Sequence, residues 1–166
     1  MLTAPMNYVP PQKTGKLTET ELLEFLQQPW NARFATVSPE GRPYLTPVWY
    51  SYAAAENCFY VVARERAAYI EHLRHHPAVA LHMADDVHLE HTRVLIEGNA
   101  TMRPANAPST DLWLRDLVND MAVRYMGPDG PHYAARTLDR PRVLITVTPE
   151  RIQSWTGGEW AERYWR

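Results

Sequence analysis

Apolar and polar positions recur with two different periods along this chain, and the changes of period mark its elements. At Thr18-Glu19-Thr20-Glu21 a threonine stands three residues ahead of a glutamate, the pattern of a capping box. Leu22, Leu23, Phe25 and Leu26 follow at helical spacing until Pro29, which predicts a short amphipathic helix. The character then becomes strand-like. Arg33–Val37, Tyr44–Tyr52 and Cys58–Ala63 read as strands, joined by a Pro-then-Gly loop at 38–42 and a turn near Asn57. Connections this short permit only antiparallel pairing, so these three are expected to form a meander. Pro47 removes a ladder donor from the second of them and predicts an edge, a bulge or an opening in the sheet.

Arg66–His75 predicts a second helix with Ile70 and Leu73 facing inward, ended by Pro77. Val79–Met83 and Arg93–Met102 predict two more strands, the latter bulged at Gly98. Leu114, Leu117, Val118, Met121, Ala122 and Tyr125 place the longest helix over Thr110–Tyr125, with Asp111 near its N-terminus. Gly127–Pro131 reads as a loop, Val143–Val147 and Arg151–Trp155 as two closing strands, and Trp160, Tyr164 and Trp165 as an aromatic tail. Residues 1–17 hold three prolines and read as an arm ahead of one domain, 18–166. Six or more strands with helices after the third and fifth predict a mainly β (α+β) fold, a small closed or half-closed antiparallel barrel.

Composition narrows the function. A length of 166 residues with 45% apolar content fits one domain. A net charge of −2 gives no footprint for nucleic acid or anionic membrane. No run approaches the roughly 18 apolar residues of a membrane span. Met1–Pro5 lacks the basic and apolar stretches of a secretory signal, so the expected compartment is the cytoplasm. The single cysteine, Cys58, excludes an intramolecular disulfide and a multi-Cys zinc site; beside Phe59 it reads as a buried small hydrophobe. Gly-x-Ser-x-Gly, Gly-rich phosphate loops and Gly-x-Gly-x-x-Gly are all missing. Six tryptophans and nine tyrosines predict a surface aromatic patch, buried in a two-fold homodimer.

Candidate chemistry rests on few residues. His72 and His76 share a helix face, with His75 beside them and His82, His88 and His91 downstream, but no third ligand is fixed by spacing. They read as solvated or capping histidines, and no metal is expected. Lys13 and Lys16 are the only lysines against fifteen arginines, so an anion held by the body must meet arginine, histidine or backbone amides. Arg64-Glu65-Arg66 sits at a strand end before a helix. It is either a phosphate-holding pair of guanidinia or a self-neutralised exposed strand end.

The order of segments resembles the pyridoxamine 5′-phosphate oxidase-like superfamily of FMN-binding split barrels, including its deazaflavin (F420) branch. The resemblance runs over roughly residues 20–160. It is carried by Phe34-Ala35-Thr36-Val37, Gly41-Arg42-Pro43, Thr46-Pro47-Val48-Trp49-Tyr50 and Phe59-Tyr60-Val61-Val62-Ala63-Arg64. Leu73-Arg74-His75-His76-Pro77, Val94–Ala100, Arg124-Tyr125-Met126-Gly127 and Thr148–Trp155 continue it.

The resemblance implies a split barrel of about six to seven strands with flanking helices. It also implies a homodimer with cofactor clefts at the interface and a flavin-dependent oxidoreductase acting on a small organic substrate. Carried over, Thr46, Pro47, Val48, Trp49 and Ser51 would lie along the flavin ring. Val62, Ala63, Arg64, Arg66, Ala67, Ala68 and Tyr69 would hold the ribityl phosphate. Arg93 would approach the ring, and Trp155 would come from the partner subunit. No acid–base residue is implied, because the chemistry would reside on the flavin.

The departures count too. Thr46, Ser51, Ala68 and Tyr69 stand where a true pyridoxamine phosphate oxidase has basic residues, Tyr69 replacing the lysine of the phosphate motif. The substrate-binding Arg-x-His-x-Arg is matched only loosely by Arg163–Arg166. Pyridoxal phosphate synthesis is therefore not expected. FMN is the expected cofactor, with F420 the enzyme alternative and a non-catalytic flavin- or haem-binding module the other; for haem, His72, His75 or His82 would be axial ligands.

Overall fold

The computed structural model describes residues 8–157. The capping box forms: the Glu21 amide donates to Thr18 Oγ1 at 3.3 Å, and the Thr18 amide donates to Glu21 Oε2 at 2.6 Å. It starts helix α1 (Glu19–Leu26), which buries Phe25 and Leu26. Strands β1 (Ala32–Val37), β2 (Pro43–Val48), β3 (Ser51–Ala53) and β4 (Cys58–Ala63) follow, then α2 (Ala68–His75), β5 (Ala78–Ala84) and β6 (Arg93–Ala105). Helices α3 (Leu112–Met126) and α4 (Gly130–Ala135) precede β7 (Arg142–Trp155). No helix among the described residues is long and apolar enough to cross a membrane.

All seven strands form one antiparallel sheet in the order β2-β1-β5-β6-β7-β4-β3. Its two edges, β2 and β3, are separated in sequence by Trp49 and Tyr50 alone. Three peptide units span at most about 11 Å, whereas the edges of a flat seven-stranded sheet lie roughly 29 Å apart. The sheet therefore curls until its edges meet, and because β2 and β3 do not pair, the result is a split barrel. Phe34, Leu81, Met83, Ile96 and Ile145 fill its inside, alternating with outward positions as the two-residue period requires.

Four expectations need correction. The three early strands are no meander: β1 pairs with β2 and β3 with β4, but the pairs sit at opposite ends of the sheet. The Tyr44–Tyr52 run is two strands, broken where Tyr50 turns into the core. Gly127–Pro131 is a 3-10 turn and the start of α4, and the two closing strands are one, β7. Among the described residues Trp30 and Tyr50 are buried, while Tyr44, Trp113 and Tyr133 stay exposed, Tyr133 beside Trp49 and Trp113 beside Tyr60. Pro47 does lie on an edge strand, Cys58 is buried, and the β6–β7 register shifts at Glu97/Gly98. Within the predicted arm, Tyr8 packs on Phe25 and Trp30, and Gly15 bridges to Thr156. Residues 1–7, the aromatic tail and Arg163–Arg166 lie outside the described residues.

Candidate functional site

Helix α2 packs against the inward face of β1. His72 Nδ1 lies 2.9 Å from Thr36 Oγ1, with the Tyr44 ring edge-on at 5.1 Å. His72 is thus a buried packing residue, contrary to the solvated reading. Tyr69 meets the Phe34 ring edge-on at 5.6 Å, and the cross-strand neighbour of Phe34 is Thr46. Thr46 is therefore half-buried on the face that α2 covers, while Pro47, one residue on, points the other way and is exposed. Side chains of Thr46 and Pro47 cannot serve one ligand together, but backbone groups of β2 turned away from β1 are free of ladder partners at the split. Val48 is buried.

Val62 and Ala63 end β4, paired with Leu144 and Val143 of β7. Arg64, Glu65 and Arg66 follow, all exposed, and the Ala67 amide closes a turn on the Arg64 carbonyl at 3.0 Å. Ala67 is the N-cap of α2 and offers no side-chain acceptor, so the helix starts uncapped at exposed Ala68. Among the described residues neither Arg64 nor Arg66 has an acidic partner within ion-pair distance. Two free guanidinia beside an uncapped helix start make this the most anion-attracting stretch of the predicted site. Burial, with a smaller push from Tyr44, raises the Tyr69 phenol. It stays neutral and can donate a hydrogen bond, though it brings no charge.

The other predicted residues lie elsewhere. Trp49 is stacked on Tyr125, centroids 5.1 Å apart and 5° from parallel. Ser51 Oγ accepts from Arg124 Nη2 at 3.4 Å. Both are engaged with α3. Arg93 and Trp155 face each other across β6 and β7, at the opposite end of β7 from Val143. Along the strand that is twelve residues, roughly 40 Å of path. One chain brings Thr46, Arg64, Arg66 and Tyr69 to one region of the barrel and leaves Arg93 and Trp155 at another.

Around Arg93 the outward positions collect charge. Arg33 and His82 are cross-strand neighbours, and Arg33 pairs with Asp86. Burial lowers the His82 pKa from 6.5, the Arg33 and Arg93 charges lower it further, and Asp86 opposes them. As pH falls below 6.5 the unfolded chain takes up this proton first, so stability drops until the folded pKa is passed. Replacing His82 by Gln is expected to flatten the decline in urea midpoint between pH 7.5 and 5.5; an unchanged decline would assign the acid sensitivity to other groups.

Sequence reasoning missed Arg142, which opens β7 and is buried. Its only local signal was a second arginine, Arg140, across Pro141. No group of three or more His, Cys, Asp or Glu able to hold a metal occurs among the described residues.

A curled antiparallel sheet with a split beside a helix that starts uncapped just after two free arginines defines a split-barrel protein with an anion-attracting helix start. The chain belongs to the pyridoxamine 5′-phosphate oxidase family, whose sequence model matches residues 18–156. No curated protein sequence matches it significantly. Similar solved structures include a conserved hypothetical protein from Mycobacterium tuberculosis, 22% identical, covering 90% of each chain, with a TM-score of 0.67. An F420 reductase is 21% identical over 78% of this chain and 93% of its own, with a TM-score of 0.60. The haem storage protein HutZ of Vibrio cholerae is 22% identical over 84% of this chain and 96% of its own, at 0.61.

Proposed function

We propose that this protein is a homodimeric flavin-dependent oxidoreductase that binds FMN and passes hydride to or from a small organic substrate. The observation that carries the reading is the pair Arg64 and Arg66, unpaired among the described residues, at the uncapped start of α2. They lie on the loop leading to Tyr69, which reaches Phe34, the cross-strand neighbour of Thr46. A ribityl phosphate would meet the guanidinia while the flavin ring lies along the open edge of β2. The dimer is supported by the separation of Arg93 and Trp155 from this cleft. A second copy related by a two-fold axis supplies a way for the far end of one chain to reach the near end of the other. Flavin, when bound, supplies the redox chemistry; the protein's residues position it and tune its charge.

Among the three candidate haem ligands, burial against Thr36 and Tyr44 speaks against His72, whereas exposed His75, with Nδ1 3.0 Å from the Glu71 carbonyl, keeps Nε2 for a ligand. F420 is the enzyme alternative favoured by Tyr69, which leaves the phosphate motif without its last cation. Titrating the purified protein with FMN and with F420, read by flavin absorbance and fluorescence, is expected to give tighter binding of FMN. Tighter F420 binding would transfer the reading to that cofactor, and binding of neither would remove it.

A further inference from the structure

Arg142 is 7% exposed and holds a full charge at the first position of β7. Its Nη2 donates to the Thr137 carbonyl at 2.9 Å and to Thr137 Oγ1 at 2.8 Å. Its Nη1 is buried without a hydrogen-bond partner. The guanidinium is planar, so with one edge fixed on Thr137 the other nitrogen is turned away from it. Among the described residues no carboxylate lies within ion-pair distance of Arg142.

The neighbours make the charge harder to explain by structure alone. Ala63 of β4 pairs with Val143 of β7, so the next residues of the two antiparallel strands, Arg64 and Arg142, continue side by side past the ladder end. Arg140 stands two residues earlier, across Pro141, and is exposed like Arg64. Burial lowers the Arg142 pKa, the charges of Arg64 and Arg140 lower it further, and Asp139 alone opposes them. Three guanidinia thus share a field with one exposed carboxylate. A buried, unpaired cation is costly unless something neutralises it, and buried donors in folded proteins are almost always satisfied.

We propose that Arg142, Arg64 and Arg140 form a phosphate-binding site at the β4–β7 end of the barrel, with Arg142 as its buried anchor. A dianionic phosphoryl group matches three cations better than a carboxylate does, and the forked guanidinium presents donors in the geometry a phosphate accepts. The phosphate has two possible sources, the cofactor's own or a separate phosphorylated compound. Arg64 is shared with the proposed flavin cleft, but the site does not require that a flavin bind.

The test titrates inorganic phosphate into the full-length protein at constant ionic strength, with chloride as the control, read by calorimetry and thermal shift. Saturable binding of phosphate is expected, weakened at least about tenfold by Arg142→Gln. Arg140→Gln, at an exposed position that leaves the core untouched, is expected to weaken it several-fold, and carries the test if Arg142→Gln does not fold. Phosphate acting no differently from chloride would overturn the proposal, and so would parental affinity in both variants. Repeating the titration with FMN or riboflavin present separates the sources. Competition by FMN but not riboflavin assigns the site to the cofactor's phosphate, and additive binding assigns it to a separate compound; either supports the site. FMN binding without a phosphate response would sink this inference and leave the proposed function standing, while phosphate binding without FMN binding would do the reverse.

Discussion

Gly98→Ala is expected to destabilise the barrel by about 3 kcal/mol or more, near the upper end for a single added methyl. At this length that is a fall of roughly 6–12 °C in Tm. Gly98 lies on β6 at the bulge where the long β6–β7 ladder shifts register. A Cβ there would stand 2.2 Å from the Thr148 carbonyl oxygen and 3.0 Å from the Pro149 Cα. Both obstacles are backbone, so neither can rotate aside as a side chain could. The clash arises from the first carbon, so Gly98→Val is expected to cost no less than Gly98→Ala. Gly41→Ala is the control: it has a φ of 79° but open space around its would-be Cβ, so only backbone strain of about 1 kcal/mol is expected. Urea denaturation followed by circular dichroism measures all three. A Gly98→Ala variant within about 0.5 kcal/mol of the parent would show that the two strands can separate at the bulge without loss.

That bulge was legible because glycine inside a strand pattern has few other uses. Other features were not, and the reasons are physical. The run from Tyr44 to Tyr52 carries β-branched and aromatic residues throughout, and nothing local marks a break. The break comes from contacts distant in sequence: Tyr50 reaches the Leu26 carbonyl, and Trp49 stacks on Tyr125. Pro47 announced an edge, yet which strand would lie on the far side of the opening depends on closure of the whole sheet. The sequence separated two closing strands at 148–150, but Pro149 sits opposite Gly98 where the bulge suspends the ladder, so one strand runs through it. The Gly-Pro pairs at 127–128 and 130–131 looked like loop chemistry. They also suit the first turn of a helix, where proline loses no needed donor, and a six-residue helix is too short to declare a period.

The candidate site divides along the same line. Arg64 and Arg66 could be placed at a strand end before a helix from local pattern, and the structure leaves both exposed there. The charge on Arg142 could not be placed, because its burial follows from the way β7 enters between β4 and β6. Nor could the pattern tell that Trp49 and Ser51, three and five residues after Thr46, turn toward α3 while Thr46 turns toward α2. An alternating strand sends neighbours to opposite faces, and the break at Tyr50 resets that alternation.

Tyr50→Ala is expected to be the most damaging core truncation at this closure, costing about 3–5 kcal/mol. The ring is fully buried, tilted on Phe59 at 5.9 Å and edge-on to Tyr125 at 6.4 Å, with the Arg124 guanidinium 5.6 Å above it. Its hydroxyl donates to the Leu26 carbonyl at 3.0 Å, and its amide donates to Tyr125 Oη at 3.2 Å. One residue thus ties α1, the split between β2 and β3, and the last turn of α3. Burial drives the phenol well above its usual pKa of 10, so it stays a neutral donor at neutral pH and makes stability fall only as pH rises past 10, where the unfolded phenol ionises. Tyr50→Phe separates the contributions: it keeps the ring and removes the hydroxyl, and the Leu26 carbonyl retains Arg124 Nη1 at 3.3 Å. That variant is expected to lose only about 1 kcal/mol. Hydrogen exchange should then speed up at α3 amides in Tyr50→Ala and change little in Tyr50→Phe. If the two variants lose equal stability, the hydroxyl network closes the barrel, and packing of the ring does not.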